Sequence, residues 1–199
     1  MPNRRATSIA GVCALLAFFA AGCASFRGGE IPETKPWPPA SPAAKKTLSL
    51  AVTGSTLLNN TPGDASPQML TKWREFTEQA YKESSQFSAV LPETAAADIK
   101  AEVKIVNSGN PNLGLAFISG LTLTLIPAKA TDYFTVHTDF KNSRGDVLAS
   151  IEKKDHMDTW IELFLIVVTP FNWPNSVAGD VLTDISRSTI ADAHEKGVF

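Results

Sequence analysis

Residues 97–105 have the strictest pattern in this chain, since apolar and charged side chains alternate there almost without exception. The apolar positions are Ile99, Ala101, Val103 and Ile105, and the charged positions between them are Lys100, Glu102 and Lys104. Because successive side chains of a strand point to opposite faces, this segment predicts a strand with one buried face and one hydrated face. The sheet that contains it is therefore expected to have helices on one face only.

Further segments complete the predicted sheet. Residues 47–54 and 87–91 are short apolar runs of strand type, and residues 131–141 and 147–154 flank a polar turn that predicts an antiparallel hairpin. In residues 121–126, leucines alternate with threonines, which also favours a strand. We expect a mixed, mainly antiparallel sheet of about five strands.

Two amphipathic helices are predicted to cover one face of this sheet. Ser66 precedes Pro67 as a capping hydroxyl, and apolar residues then recur at helical spacing up to Tyr81. After Pro174, either Asn175 or Ser176 can cap a final helix. The sequence therefore predicts an α+β fold in which both helices pack on the same side.

Two apolar runs, residues 113–126 and 160–174, allow two interpretations. They can be core strands or loops under the helices, which is the usual fate of short apolar runs. Alternatively, they form an exposed apolar surface that touches a partner or a membrane leaflet. The residues that would make this contact are Phe117, Ile118, Trp160, Phe164, Phe171 and Trp173.

The amino terminus is typical of a secretion signal. Arg4 and Arg5 precede an apolar run, residues 9–21, which is too short for a permanent transmembrane helix. The run ends in Ala20, Ala21 and Gly22, followed by Cys23. One interpretation is an ordinary signal-peptidase site in which Cys23 is merely a small apolar residue.

This segment resembles the signal of bacterial lipoproteins, both in its final Ala-Ala-Gly-Cys and in the Leu and Phe residues before it. The resemblance implies cleavage between Gly22 and Cys23 and a diacylglyceryl group on the Cys23 thiol. In that family, Ala24 in place of an aspartate implies transfer to the outer membrane. We therefore expect an outer-membrane protein that faces the periplasm and is held by a lipid.

The expected domain organisation is a signal peptide at 1–22, a lipidated Pro-rich tether at 23–45 and a single periplasmic domain at 46–199. Five prolines between residues 32 and 42 predict an extended spacer. Cleavage would remove two of the 18 basic residues and leave all 20 acidic ones, so a nucleic-acid partner is not expected. Cys13 would leave with the signal, and Cys23 would be blocked by lipid.

No arrangement of residues commits the chain to a reaction. The three histidines, His137, His156 and His194, have no second histidine or cysteine at ligand spacing, so neither a metal site nor a cofactor is predicted. His137 with Asp139, or His156 between two aspartates, can be imagined as an acid–base pair, but we interpret them as solvated strand residues. The motifs for a serine nucleophile, a phosphate loop and a dinucleotide site are absent. The chain is therefore not expected to be an enzyme.

The order of elements over residues 46–199 loosely resembles small periplasmic domains of outer-membrane accessory lipoproteins, such as the lipopolysaccharide-transport lipoprotein or the N-terminal domain of the Tol-system translocation protein. The resemblance is architectural and transfers no functional residue. It implies a non-enzymatic binding or scaffold module that acts with an envelope protein partner in assembly or transport. A second hypothesis is an auxiliary lipoprotein that presents a lipid or amphiphile to a transporter, and a third is an envelope hydrolase.

Overall fold

The computed structural model describes residues 22–109, 111–122 and 124–199. The signal predicted for residues 1–22 lies outside this part of the chain, apart from Gly22. Among the described helices, none is both long enough and apolar enough to cross a bilayer.

In the described residues, one seven-stranded sheet is accompanied by three helices. The strands are β1 (Gly22–Arg27), β2 (Lys46–Leu58), β3 (Thr61–Asp64), β4 (Phe87–Pro92), β5 (Ile99–Gly109), β6 (Ala128–Asn142) and β7 (Val147–Glu162). The helices are α1 (Pro67–Glu83), α2 (Leu113–Leu121) and α3 (Pro174–Glu195). Two short 3-10 turns, Leu163–Val167 and Thr169–Phe171, join β7 to α3. The α+β class is confirmed, although the expected five strands and two helices are too few.

The sheet is mixed and mostly antiparallel, as predicted. Its order is β1-β7-β6-β5-β2-β3, and β4 pairs with the first part of β2 on the same side as β3. β2 runs parallel to β4 and β5, whereas all the other pairs are antiparallel. The β6–β7 hairpin confirms the pairing predicted from the polar turn at residues 142–146.

The alternating pattern of β5 separates the two faces of the sheet. The apolar positions of residues 99–105 are at most 2% exposed and belong to the core. α1 and α3 contact each other and pack on this face, with Trp73, Tyr81, Leu182 and Ile185 buried between the helices and the strands. The opposite face is hydrated and carries charged side chains, including Lys141, whose Nζ lies 2.7 Å from Glu102 Oε2.

Helix boundaries follow local capping chemistry in two cases. Ser66 Oγ accepts a hydrogen bond from the Met69 N–H at 3.3 Å, which confirms the predicted start of α1. Asn112 Oδ1 likewise accepts from the Leu115 N–H at 2.9 Å and begins α2.

Two local predictions from the apolar runs are wrong. Leu121 ends α2 and Leu125 lies in the following turn, so they do not form a strand; Leu123 lies outside the described residues. At α3, the predicted caps Asn175 and Ser176 are already inside the helix. Trp173 is the N-cap without a side-chain hydrogen bond, because Pro174 supplies a first helical residue that needs no N–H partner.

The segment predicted to be a spacer, residues 23–45, is instead packed on the domain. Its first residues form β1, which pairs with β7 in antiparallel register. Farther along, Ile31 and Trp37 pack against the core, and Gln86 Nε2 donates to the carbonyl oxygen of Pro39 at 3.0 Å. The prolines do prevent a helix here, but they leave enough apolar surface for the segment to bind the sheet and helices.

Candidate functional site

Cys23 lies near the start of β1, at an edge of the sheet. It pairs with Ile161, and Gly22 pairs with Glu162 at the end of β7. Side chains alternate along the strand, so Cys23 shares a face with Arg27, whose guanidinium forms an ion pair with Asp184 of α3. The Cys23 side chain is half-buried, and this burial raises the pKa of its thiol above the ordinary value.

β1 is fixed on both sides, which holds Cys23 at a defined place. Ser25 Oγ lies 2.6 Å from Thr159 Oγ1 of β7. On the outer side, the Ser25 N–H donates to the carbonyl oxygen of Asn172 at 2.9 Å, which ties the strand to the end of the 3-10 turns. Ala24 and Ser25 are fully buried. The start of β1 is therefore part of the folded domain and adjoins the second apolar run.

The two apolar runs meet at this same end of the sheet. β5 stops at Gly109, opposite Asp132, whereas β6 and β7 continue to the pair Ala128–Ile161. α2 connects β5 to β6, and the 3-10 turns leave β7 beside it. The Leu163 N–H donates to the carbonyl oxygen of Thr124 at 3.3 Å and links the two runs directly.

The surface made by these runs is strongly exposed, and we call it the apolar end. Phe171, Val167 and Phe164 are 85%, 74% and 73% exposed. The apolar end consists of Leu113, Phe117, Ile118, Leu121, Leu125, Ile126, Trp160, Phe164, Val167, Phe171 and Trp173. It contains all six residues predicted as a contact surface, and each of them is exposed at this end of the sheet. Their exposure contradicts the alternative interpretation, in which these runs form the core.

Charge is absent from the two loops that carry most of this surface, whereas Trp160 lies on β7 between Asp158 and Glu162. Neither residues 105–128 nor residues 163–179 contain an Asp, Glu, Lys or Arg, although 19% of the chain is charged. At the border, Lys129 Nζ lies 2.8 Å from Asp158 Oδ2 and 5.6 Å from the centre of the Trp160 ring. Exposed apolar surface concentrated at one end of a domain is typical of a protein or membrane contact.

The imagined acid–base residues do not form one site. His137 Nε2 lies 3.1 Å from Asp139 Oδ1 on the hydrated face of the sheet. Asp139 also accepts from Ser150 Oγ at 2.7 Å, and that hydrogen bond is the main reason why the pKa of Asp139 is below its ordinary value. His194 lies in the last turn of α3, far along the chain from both.

His156 has a different neighbour from the one suggested by the sequence. Its Nδ1 lies 3.2 Å from Glu30 Oε1, and Asp155 is buried beside it. Asp155 Oδ1 accepts from the backbone N–H groups of His156 at 2.7 Å and Glu30 at 3.2 Å, so this carboxylate already has partners. Asp158 pairs with Lys129 instead. Sequence reasoning missed Glu30, because only the long-range pairing of β1 with β7 brings it near.

A cleft of about 370 Å³ lies between the first turns of α1 and α3. Its walls are mainly apolar and include Trp73, Phe76, Phe134 and Met157. Asp132 and Asn107 add polar groups, and burial raises the pKa of Asp132. No local sequence pattern predicts this cleft, because its walls come from five separate segments.

Comparison with known proteins adds little to this geometry. No protein-family model matches the chain, and no curated protein matches it. A solved structure of a PelC dodecamer from Paraburkholderia phytofirmans is 10% identical, with a TM-score of 0.26, over 83% of this chain and 97% of that one. A variant PelC dodecamer from the same organism is 12% identical, with a TM-score of 0.28, over 83% and 98%. Similarity at this level carries no argument about the present chain.

Proposed function

We propose that this chain is a lipid-anchored lipoprotein of the outer membrane that faces the periplasm. In this proposal it is a non-enzymatic binding or scaffold module in cell-envelope assembly or transport. The observation that carries the proposal is the position of Cys23. The cysteine that follows the signal-like segment lies at the edge of the sheet, at the same end as the exposed, uncharged apolar end.

An acyl group on Cys23 would be attached directly to the folded domain. After cleavage, Cys23 would be the first residue, and β1 is paired with β7 from this residue onward. No free spacer would then separate the lipid from the domain. The bilayer would hold the sheet by one end, since two or more acyl chains make a stable anchor.

The hydrated face of the sheet is the surface that we assign to an envelope protein partner. It is uncovered by the helices, which pack on the other side. Charges alternate in sign along β5, from Lys100 through Glu102 to Lys104, and like charges are opposite each other on β6, where Lys141 pairs with Lys100 and Asp139 with Glu102. A partner with complementary charges would bind this face, and such charge complementarity contributes more to specificity than to affinity.

The chain offers a matched pair of variants to test the anchor. Cys23→Ser removes the acceptor thiol, whereas Cys13→Ser changes the other cysteine of the sequence within the predicted signal. We expect a radiolabelled fatty acid fed to the cells to mark Cys13→Ser like the wild type and to leave Cys23→Ser unlabelled. Mass spectrometry of the wild-type protein should find an amino terminus at Cys23 that carries a diacylglyceryl group. An unacylated terminus, or a Cys23→Ser protein that still takes up the fatty acid, would contradict the proposal.

The cleft between α1 and α3 favours a second candidate function, the presentation of a lipid or amphiphile to a transporter. Its aromatic walls suit an alkyl chain, and Asp132 and Asn107 offer polar contacts to a head group. Solvent extraction of the purified protein, in the same mass-spectrometry experiment, distinguishes the two functions. A stoichiometric lipid would support presentation, and a stoichiometric protein partner after crosslinking in cells would support the scaffold.

A further inference from the structure

We infer that the apolar end is a second membrane-binding surface, which inserts its exposed side chains into a lipid bilayer independently of any acyl chain. The inference rests on the proposed function in one respect: acylation of Cys23 is what brings this end of the molecule to a bilayer. It goes further in assigning the orientation of the domain and the residues that enter the lipid.

The first argument is the composition of the surface. Phe164 and Phe171 are largely exposed on the 3-10 turns, and Phe117 and Leu121 are 68% and 69% exposed on α2. No formal charge lies within residues 105–128 or 163–179. Insertion of these segments would therefore bury no ionised side chain, which is the main cost of placing protein surface in hydrocarbon.

The second argument is the arrangement of side chains at the border. Trp160 and Trp173 are partly exposed there, and tryptophan is enriched at the level of lipid head groups. Lys129 extends over the Trp160 ring and pairs with Asp158, so it can keep its ammonium group in the head-group region. The border thus has the chemistry of a membrane interface, with the apolar side chains beyond it.

The third argument is the position of the apolar end beside Cys23, which favours a bilayer over other occupants. Cys23 pairs with Ile161, and Phe164 follows three residues later, which is roughly 10 Å of chain at strand spacing. Acyl chains on Cys23 would lie in the bilayer, so the neighbouring aromatic side chains would already be at its surface. A protein partner or a second copy would have to compete with lipid for this surface.

The test uses the mature chain, residues 23–199, with Cys23→Ser so that no acyl group is present. All described strands and helices are retained, apart from Gly22. We expect this protein to float with large unilamellar vesicles of phosphatidylcholine. Since Lys129 at the border is paired with Asp158 and the loops beyond it carry no basic residue, addition of anionic phosphatidylglycerol should change the binding less than twofold.

Two further variants of this protein locate the binding surface. Phe164→Ser with Phe171→Ser should weaken vesicle partitioning at least tenfold. The matched control is Val147→Ser with Leu148→Ser, a pair of exposed apolar residues at the opposite end of the sheet, which should bind vesicles like the parent. All four positions are exposed, so circular dichroism and the melting temperature should remain close to those of the parent.

Three results would overturn the inference. One is a parent protein that does not float with vesicles, and another is equal weakening by the two double variants. The third is self-association that the phenylalanine variants abolish while vesicle binding is absent, which would assign the surface to a second copy. None of these results bears on acylation of Cys23, which the mass of the native amino terminus tests separately.

Discussion

Two half-buried acidic groups, Cys23 and Asp132, show how single residues respond to their place in this fold. Burial raises the pKa of the Cys23 thiol and of the Asp132 carboxyl above their ordinary values. Desolvation is the main cause of the raised pKa of Asp132, and the neighbouring Asn107 side chain offsets it only in part. Asp132 should therefore cost stability when it is ionised.

The sign of this effect gives a prediction for Asp132→Asn. A raised pKa means that the folded state holds the proton more tightly than the unfolded state does. Stability from this group is fully present below its unfolded pKa of about 3.9 and is lost as the pH rises through the folded value. We expect Asp132→Asn to become progressively more stable than the wild type as the pH rises from 3.5, with the difference constant once Asp132 is ionised. Urea unfolding between pH 3.5 and 7 measures the difference.

Asp98→Asn is a control with the opposite sign. The backbone N–H and the hydroxyl of Thr47 donate to Asp98 Oδ2 at 2.8 and 2.7 Å, which lowers the pKa of Asp98. This variant should be less stable than the wild type at neutral pH, and the loss should shrink as the pH falls through the lowered pKa. A pH-independent effect at Asp132, or the same sign for both variants, would contradict our description of the two carboxyl groups.

At the level of whole elements, the packing of α3 against α1 depends on a glycine where the two helices meet. A Cβ atom on Gly179 would lie 2.6 Å from the ring of Phe76, so the helices can pack at this distance only without a side chain there. Helical glycine is intrinsically unfavourable relative to alanine, and its presence here is explained by this contact.

Gly179→Ala should therefore destabilise the protein by about 1–3 kcal/mol through overpacking. Gly120→Ala in α2 is the matched control, because a Cβ atom there would meet nothing within 4 Å. The control should leave stability unchanged or raise it by up to about 1 kcal/mol, the helix propensity difference. Chemical denaturation measures both, and equal effects would show that the Phe76 contact does not limit the packing.

Elements with a complete local pattern could be predicted from the sequence, and others could not. The alternation of β5, the β6–β7 hairpin and the Ser66 cap of α1 are all local. β1 is short and begins with four small residues, and its partners on β7 lie 130 to 140 residues away in sequence. After α2, the alternating leucines and threonines wrongly favour a strand, whereas residues 113–119 allow the short helix that forms there, with Asn112 as its local capping signal.

The sequence predicts which residues make up the candidate surface but not where in the fold they lie. The six aromatic and aliphatic contact residues were identifiable from their two apolar runs. Their common location depends on β6, which pairs antiparallel with both β5 and β7. The carboxyl ends of β5 and β7 therefore lie at the same end of the sheet. Whether such runs are buried or exposed is decided by tertiary packing, which periodicity does not contain.

On the scale of the whole molecule, surface chemistry is divided by position along the strands. The apolar end is uncharged and includes Phe164 and Phe171, whereas the open sheet face carries ion pairs such as Lys141 with Glu102. In our account, Cys23 and the apolar end attach the domain to the bilayer, and the open face stands away from it. We therefore expect one orientation of the domain on the bilayer, in which Trp173 contacts lipid. Trp37 is packed against the core near Arg187 and does not contact lipid in this orientation.

Quenching of tryptophan fluorescence by brominated lipids tests this orientation most directly. The acylated protein is reconstituted into vesicles that contain the brominated lipid, and the wild type is compared with Trp173→Phe and Trp37→Phe. We expect strong quenching of the wild type, loss of much of the quenched component in Trp173→Phe and retention of it in Trp37→Phe. Absence of quenching, or its loss in Trp37→Phe but not in Trp173→Phe, would contradict the account.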